Sequence, residues 1–196
     1  MSAPAREAGG AALVAIDMQV VFAQPGGPWA APGFAAAADG LRRLLPAFAG
    51  RTVWTRYVAP RDPQGAWRAY FAQWPFALVP PDDPLYDLAD GLDPEGAPVV
   101  TATTFGKWGP ELDAATGHAE ELVVAGVSTD CCVLSTVLPA ADAGRRVRVV
   151  ADACAGASAA DHARALDAMR LYAPLVEVTT VDEVLDGLRG VVAGPD

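Results

Sequence analysis

Six short apolar runs limit how this chain can fold. Residues 11–16, 52–58, 99–101, 122–125, 146–151 and 176–179 are aliphatic and rich in β-branched side chains, the composition of strands buried on both faces. Between them lie segments with helical patterning. Residues 34–48 set Leu41, Leu44, Leu45 and Phe48 at helical spacing, and residues 66–74, 110–116, 132–143 and 159–171 are expected to be helical as well. A last helix is opened by Thr180 with Glu183 three positions later, a capping box. Gly50 and Gly144 end helices, Pro110 suits a first turn, and Pro139 is expected to kink its helix. Strands alternating with helices specify an α/β fold: a doubly wound, mainly parallel six-stranded sheet with helices on both faces. Residues 1–10 read as a disordered lead and residues 11–196 as a single domain. There is no internal repeat and no Gly-rich phosphate loop.

Composition narrows the function classes. With 52% hydrophobic and 19% charged residues the chain is globular rather than disordered. Its net charge of −10 argues against a nucleic-acid surface and a polybasic membrane anchor. No apolar run approaches the length that spans a bilayer, and the first residues lack the apolar core of a signal peptide. The expected location is the cytoplasm and the expected partner a small-molecule substrate. Three cysteines, Cys131, Cys132 and Cys154, form no disulfide framework. With only two histidines, His118 and His162, and no CxxC, no metal and no other cofactor is expected.

The chemistry-bearing stretch is the fourth run and the turn after it. Residues 122–125 form a buried strand, Gly126 breaks it, and a helix is expected from Cys132. A thiol at a helix start faces unpaired backbone N–H groups, which favour thiolate and could hold an oxyanion. The alternative is that Cys131 and Cys132 are ordinary buried cysteines. Asp17 directly follows the first strand, where open α/β sheets place their sites; the alternative is a cap. Lys107 lies in the loop after the third strand. It is the only lysine beside 13 arginines, which suggests a place where a compact ammonium is needed, the alternative being a chance surface position. Three loops at one end of the sheet thus carry an Asp, a Lys and a Cys: a base for the thiol and a cation for its anion. The long connection over residues 75–98 is expected to help shape the site. Phe22, Trp29, Trp74 and Trp108 lie near the mouth loops and suggest an aromatic-walled pocket, or else packing against the core or a subunit interface.

The run Gly126-Val127-Ser128-Thr129-Asp130-Cys131-Cys132-Val133-Leu134-Ser135-Thr136, together with Asp17-Met18-Gln19 and Phe22, resembles the isochorismatase-like cysteine hydrolases over most of residues 11–190. The resemblance implies that Cys132, not Cys131, is the nucleophile. It also implies that the Val127–Ser128 peptide is cis, and that the Ser128 and Cys132 amides form an oxyanion hole. Homodimers or homotetramers are implied too. Two departures stand out. The family lysine usually follows the third strand directly, where this chain has Ala102; Lys107 comes five residues later. The nicotinamidase branch carries a metal-binding Asp-x-His pair and a further His after the second strand, and residues 57–74 contain no histidine. The resulting expectation is a metal-independent cysteine hydrolase cleaving a small amide through a thioester, with Asp17, Lys107 and Cys132 as its triad. The alternatives are an enol-ether hydrolase of the isochorismatase type, or a binding protein on the same fold that has lost catalysis, for which Ala102 is the best support.

Overall fold

The computed structural model describes residues 10–192, so the lead expected over residues 1–10 lies, except for Gly10, outside the described residues. In chain order the elements are β1 (Ala12–Ile16), α1 (Val20–Ala23), α2 (Phe34–Leu44), β2 (Thr52–Tyr57), α3 (Trp67–Gln73), β3 (Val99–Ala102), α4 (Pro110–Ala115), β4 (Glu121–Val127), α5 (Leu134–Asp142), β5 (Arg146–Ala155), α6 (Ala159–Arg170), β6 (Val176–Thr179) and α7 (Val181–Val192). Short 3₁₀ turns extend α2 over Leu45–Phe48 and punctuate the connection after α3. The strands form one sheet in the order β3-β2-β1-β4-β5-β6, with every neighbouring pair parallel.

Side chains alternate across this sheet because a strand repeats every two residues. Along β1, Leu13 and Ala15 enter a core with Leu41, Leu44, Phe48 and Trp54 under α2 and α7. Ala12, Val14 and Ile16 enter a second core on the opposite face, with Val133, Val137, Leu166 and Met169 from the α5 and α6 side. A central strand buried on both faces must be apolar throughout, as the run at residues 11–16 is. The expected capping box opens α7: Thr180 N–H donates to Glu183 Oε2 (2.8 Å), and Glu183 N–H donates to Thr180 Oγ1 (3.3 Å).

Two boundaries differ from expectation. Gly126 does not break the fourth strand; β4 continues through it to Val127. A Cβ there would lie 2.1 Å from the Ile16 carbonyl oxygen, so only glycine lets β4 approach β1 this closely, and its φ of 125° suits no other residue. The fifth run, read as ending at residue 151, continues as β5 to Ala155. The β4–β5 register shifts between Val124 and Gly126, and this irregularity lets β5 resume pairing beyond Asp152. No helix among the described residues is long and apolar enough to cross a membrane.

The strand order reverses direction between β1 and β4. Residues after β1 lead outward through β2 to β3, whereas β4 returns to the other side of β1 and leads to β5 and β6. Such a switch point opens a crevice at the C-terminal ends of its two strands. Asp17 follows β1 and the Cys132 turn follows β4, so both flank that point.

Candidate active site

Asp17 turns the chain out of β1 with a left-handed φ of 48°, a conformation Asp tolerates better than most residues. The turn is fixed by Gln19, whose fully buried amide accepts from Tyr57 N–H (2.8 Å) and donates to the carbonyls of Tyr57 (2.9 Å) and Tyr86 (2.7 Å). It thereby joins the ends of β1 and β2 to the long connection after α3. That connection also pairs with the turn through Val20 N–H to Asp87 O and Ala89 N–H to Met18 O, 2.9 Å each. Thr55 Oγ1 donates to Asp17 Oδ1 (2.6 Å) and accepts from Asp17 N–H (3.1 Å).

Lys107 completes this cluster from the loop after β3. Its Nζ lies 2.8 Å from Asp17 Oδ2, and both side chains are fully buried. The ammonium donates to the Thr104 and Phe105 carbonyls at 2.8 Å each and lies 5.5 Å from the centre of the Tyr57 ring. Its contact with Oδ2 is ionic rather than a directed hydrogen bond. Among the described residues, Oδ2 makes no directed hydrogen bond, and the Lys107 ammonium is the cation that meets it. The loop reaches the site because it lies flat on α5: a Cβ on Gly106 would sit 2.5 Å from the Ser135 carbonyl oxygen. Lys107 N–H donates to Thr136 Oγ1 (3.0 Å), which donates to the Cys132 carbonyl (2.7 Å). One buried hydroxyl thus ties the lysine loop to the cysteine turn.

Cys132 is not at the first turn of an ordinary α-helix. Residues Thr129–Val133 form a π-helical turn before α5, in which the Ser128 carbonyl accepts from both Cys131 N–H (3.1 Å) and Val133 N–H (3.0 Å). The Val127–Ser128 peptide is cis. The thiol is buried, and its pKa is pushed well above the ordinary value. Burial is the largest cause and the charge of Asp17 the next, with the opposing effect of Lys107 smaller than either. The expected resting thiolate is therefore corrected to a resting thiol. Helix-end donors and a lysine favour the anion, but burial against a carboxylate outweighs them. The other two thiols are also raised. Half-buried Cys131 rises to about 11 through burial and Asp130, and Cys154 to about 12 through burial. Neither has a carboxylate and an ammonium beside it as Cys132 does.

The profile of the Isochorismatase domain matches residues 11–183. The chain belongs to the isochorismatase domain family. A curated relative, isochorismatase domain-containing protein 2 of Xenopus laevis, is 37% identical over 93 residues, which are 46% of this chain and 44% of that protein. The chain therefore spans less than half the length of that relative. Among solved structures, a cysteine hydrolase from Pseudomonas syringae pv. phaseolicola superposes with a TM-score of 0.80 at 22% identity, covering 92% of each chain. An N-carbamoylsarcosine amidase from Thermoplasma acidophilum superposes with a TM-score of 0.70 at 19% identity, covering 88% of this chain and 96% of that one. At these identities the two structures establish a shared fold.

In this isochorismatase-family chain, Asp17, Lys107 and Cys132 come together as expected, with Lys107 reaching the carboxylate although position 102 is alanine. The aromatic residues divide. Trp29 gathers Phe22 (6.2 Å), Tyr57 (5.7 Å), Tyr70 (6.0 Å), Trp74 (6.3 Å) and Phe76 (5.0 Å) around it. Trp108 does not join them. It packs on the second core with the Arg145 guanidinium 5.9 Å from its ring centre, and Arg145 is in turn held by Asp113 (2.7 Å). Two surface depressions of about 520 and 870 Å³ are lined by residues other than Asp17, Lys107 and Cys132. Among the described residues, no three His, Cys, Asp or Glu side chains stand together as a metal-binding group. Thr55, Tyr57 and Thr136 carry no signal of their own in the sequence as site residues. Thr136 closes the quoted motif, which is the one feature that points to it; Thr55 and Tyr57 are ordinary strand residues.

Proposed function

We propose that this chain is a cysteine hydrolase that cleaves a small C–N substrate of the amide type through a thioester on Cys132. The observation that carries this reading is the fully buried Asp17–Lys107 ion pair, whose carboxylate stands beside a buried thiol. A thiol held protonated at rest needs a base at the moment of attack, and Asp17 is that base.

In this mechanism Asp17 takes the Cys132 proton as the sulfur bonds to the carbonyl carbon. The oxyanion is held by the Ser128 and Cys132 amides. Asp17 returns the proton to the nitrogen as the C–N bond breaks. Water then loses a proton to Asp17 and attacks the thioester; the acid leaves, and the proton goes back to sulfur. Throughout, the Lys107 ammonium offsets negative charge that moves between carboxylate, sulfur and oxyanion. Phe22, Trp29 and Trp74 form the aromatic wall on the substrate side.

The test is hydrolysis of a panel of small primary amides, followed by ammonia release, with intact-protein mass spectrometry for an acyl adduct mapped to Cys132. Turnover that disappears in Cys132→Ser and in Asp17→Asn is the expected result. A panel hydrolysed equally well by Cys132→Ser, or no adduct and no turnover with any amide, would overturn the amide-hydrolase reading.

A further inference from the structure

Among the described residues, three arginines bury an Nε that has no hydrogen-bond partner: Arg56, Arg145 and Arg148. A guanidinium stays charged, so burying part of it calls for an anion nearby. Arg145 has Asp113 at 2.7 Å, and Arg148 has Glu121 at 3.9 Å and Glu177 at 3.8 Å. Arg56 has no ion-pair partner among the described residues. It is half-buried, in a strand whose other residues are all buried. Buried polar groups are nearly always paired, and each exception calls for an explanation.

Arg56 lines the depression of about 520 Å³ together with Asp87, Leu88, Val99 and Thr101. That volume is in the range of small-molecule sites. Asp87 is exposed and borders the same space as Arg56 without pairing with it. Leu88 and Val99 supply apolar surface, Val99 being 42% exposed. β3 is an edge of the sheet. Its neighbour β2 takes up the carbonyls of Pro98 (Trp54 N–H, 2.9 Å) and Ala102 (Val58 N–H, 3.1 Å). Alternate residues of a parallel strand face its partner, so the backbone groups of Val99 and Thr101 point to the open edge. The backbones that carry the two charges are held at a fixed spacing, because the Gln19 amide binds the carbonyls of Tyr57 and Tyr86, their neighbours in sequence. The depression thus offers a cation, an anion and a short apolar wall, set by the fold and left unpaired.

We infer that this depression is a second binding site, separate from Asp17, Lys107 and Cys132, for a small zwitterionic amino acid whose carboxylate meets the Arg56 guanidinium and whose ammonium meets Asp87. A guanidinium presents a fork of donors that matches a carboxylate. An anion with no positive end would lie against the Asp87 charge, and a cation with no negative end against Arg56. A short molecule carrying both charges satisfies both groups and lays its methylenes on Leu88 and Val99.

The experiment is an NMR titration of the full chain with glycine, β-alanine and 4-aminobutanoate, which set the two charges progressively further apart, against acetate and methylammonium, which carry one charge each. The Arg56 Nε–H resonance, identified by its loss in Arg56→Lys, and the backbone amides of Val99 and Thr101 report occupancy. At least one of the three amino acids is expected to give a saturable shift of these signals, with an affinity about 10-fold above that for acetate or methylammonium, the gain of one charge-assisted contact. Arg56→Gln and Asp87→Asn each weaken it about 10-fold as read on the backbone amides, and Arg56→Lys retains part of the affinity. The melting temperatures of these variants do not fall, because neither side chain has an ion-pair partner in the fold to lose. No saturable shift with any of the three amino acids overturns the inference, as does acetate or methylammonium binding equally well, or an affinity unchanged in Arg56→Gln or in Asp87→Asn. Loss of binding accompanied by a lowered melting temperature in both variants overturns it too, since the two charges would then serve the fold. Amide turnover plays no part in these readouts, so the outcome stands whether or not the hydrolase reading survives.

Discussion

The Asp17–Lys107 pair makes a prediction in which stability and activity move apart. At 2.8 Å, two unit charges attract by about 6 kcal/mol at an effective dielectric near 20. That attraction offsets the cost of removing both ions from water, so the pair as a whole contributes little, while each ion alone is expensive. Lys107→Met leaves the carboxylate with Thr55 as its donor and strips the Thr104 and Phe105 carbonyls of their shared partner. Asp17→Asn leaves the ammonium unmatched. Each single substitution is expected to cost about 3–5 kcal/mol, a drop of roughly 6–20 °C in melting temperature for a domain of this size. The double variant, Lys107→Met with Asp17→Asn, is expected to lie within about 2 kcal/mol of the wild type. All three are expected to be without amide turnover. Urea unfolding of the four proteins gives the cycle. If the single costs simply add, or each is below about 1 kcal/mol, the two groups are not a coupled buried pair. The reasoning that seats Lys107 in the site would then be wrong.

Four further outcomes are expected from the same structure. Gly126→Ala forces a Cβ to within 2.1 Å of the Ile16 carbonyl oxygen and should exceed about 4 kcal/mol in cost, read as loss of soluble, cooperatively unfolding protein; a folded, active Gly126→Ala variant would contradict the close β1–β4 approach. Thr136→Val removes the hydroxyl between Lys107 N–H and the Cys132 carbonyl, and should cost about 1–3 kcal/mol with a fall in kcat larger than any rise in KM, whereas Thr136→Ser retains the hydroxyl and should restore most of the loss. The buried thiols fix an alkaline limit: Cys131 and Cys154 rise from 9.0 to about 11 and 12, so the folded state holds protons that the unfolded chain releases. Their contribution is complete below about pH 9 and is lost as pH climbs toward about 11–12. Denaturant midpoints across about pH 8–11 should decline, and iodoacetamide should label native Cys132 slowly at neutral pH; rapid selective labelling there would show that the resting sulfur is an anion.

Much of the fold and the site is legible in the sequence because the signals are local. The central strands β1 and β4 are apolar runs whose burial on both faces requires that composition; Asp17 directly follows the first, and Cys132 lies in the turn after the second. Lys107 is legible through its rarity, although Ala102 occupies the expected position. The features that escape depend on contacts between distant segments. The extension of β5 past Asp152 arises from a register shift against β4, and an acidic residue there reads as a loop signal. Trp108 is drawn away by Arg145, which belongs to the connection between α5 and β5. The direction of the Cys132 shift needs the degree of burial and the nearness of Asp17, neither of which residue order reveals. Tyr57 and Thr55 acquire meaning only because Gln19 and Asp17, 38 residues away, come to lie against them.

The switch point between β1 and β4 also orders events in time. During synthesis Asp17, Thr55 and Lys107 all emerge before the strand that leads to the thiol, but the lysine loop is seated by Ser135 and Thr136 of α5, so the charged pair waits for the later half. Until β4 arrives, β1 is an edge, apolar on both faces and open to any strand that would pair with it. The fourth strand therefore covers the exposed edge of β1 and brings the Cys132 turn to Asp17 in a single step, with β5 and β6 adding outside it. The complete candidate site becomes a late product of long-range pairing, and a ribosome stalled before residue 121 would release a chain prone to aggregation and without Cys132.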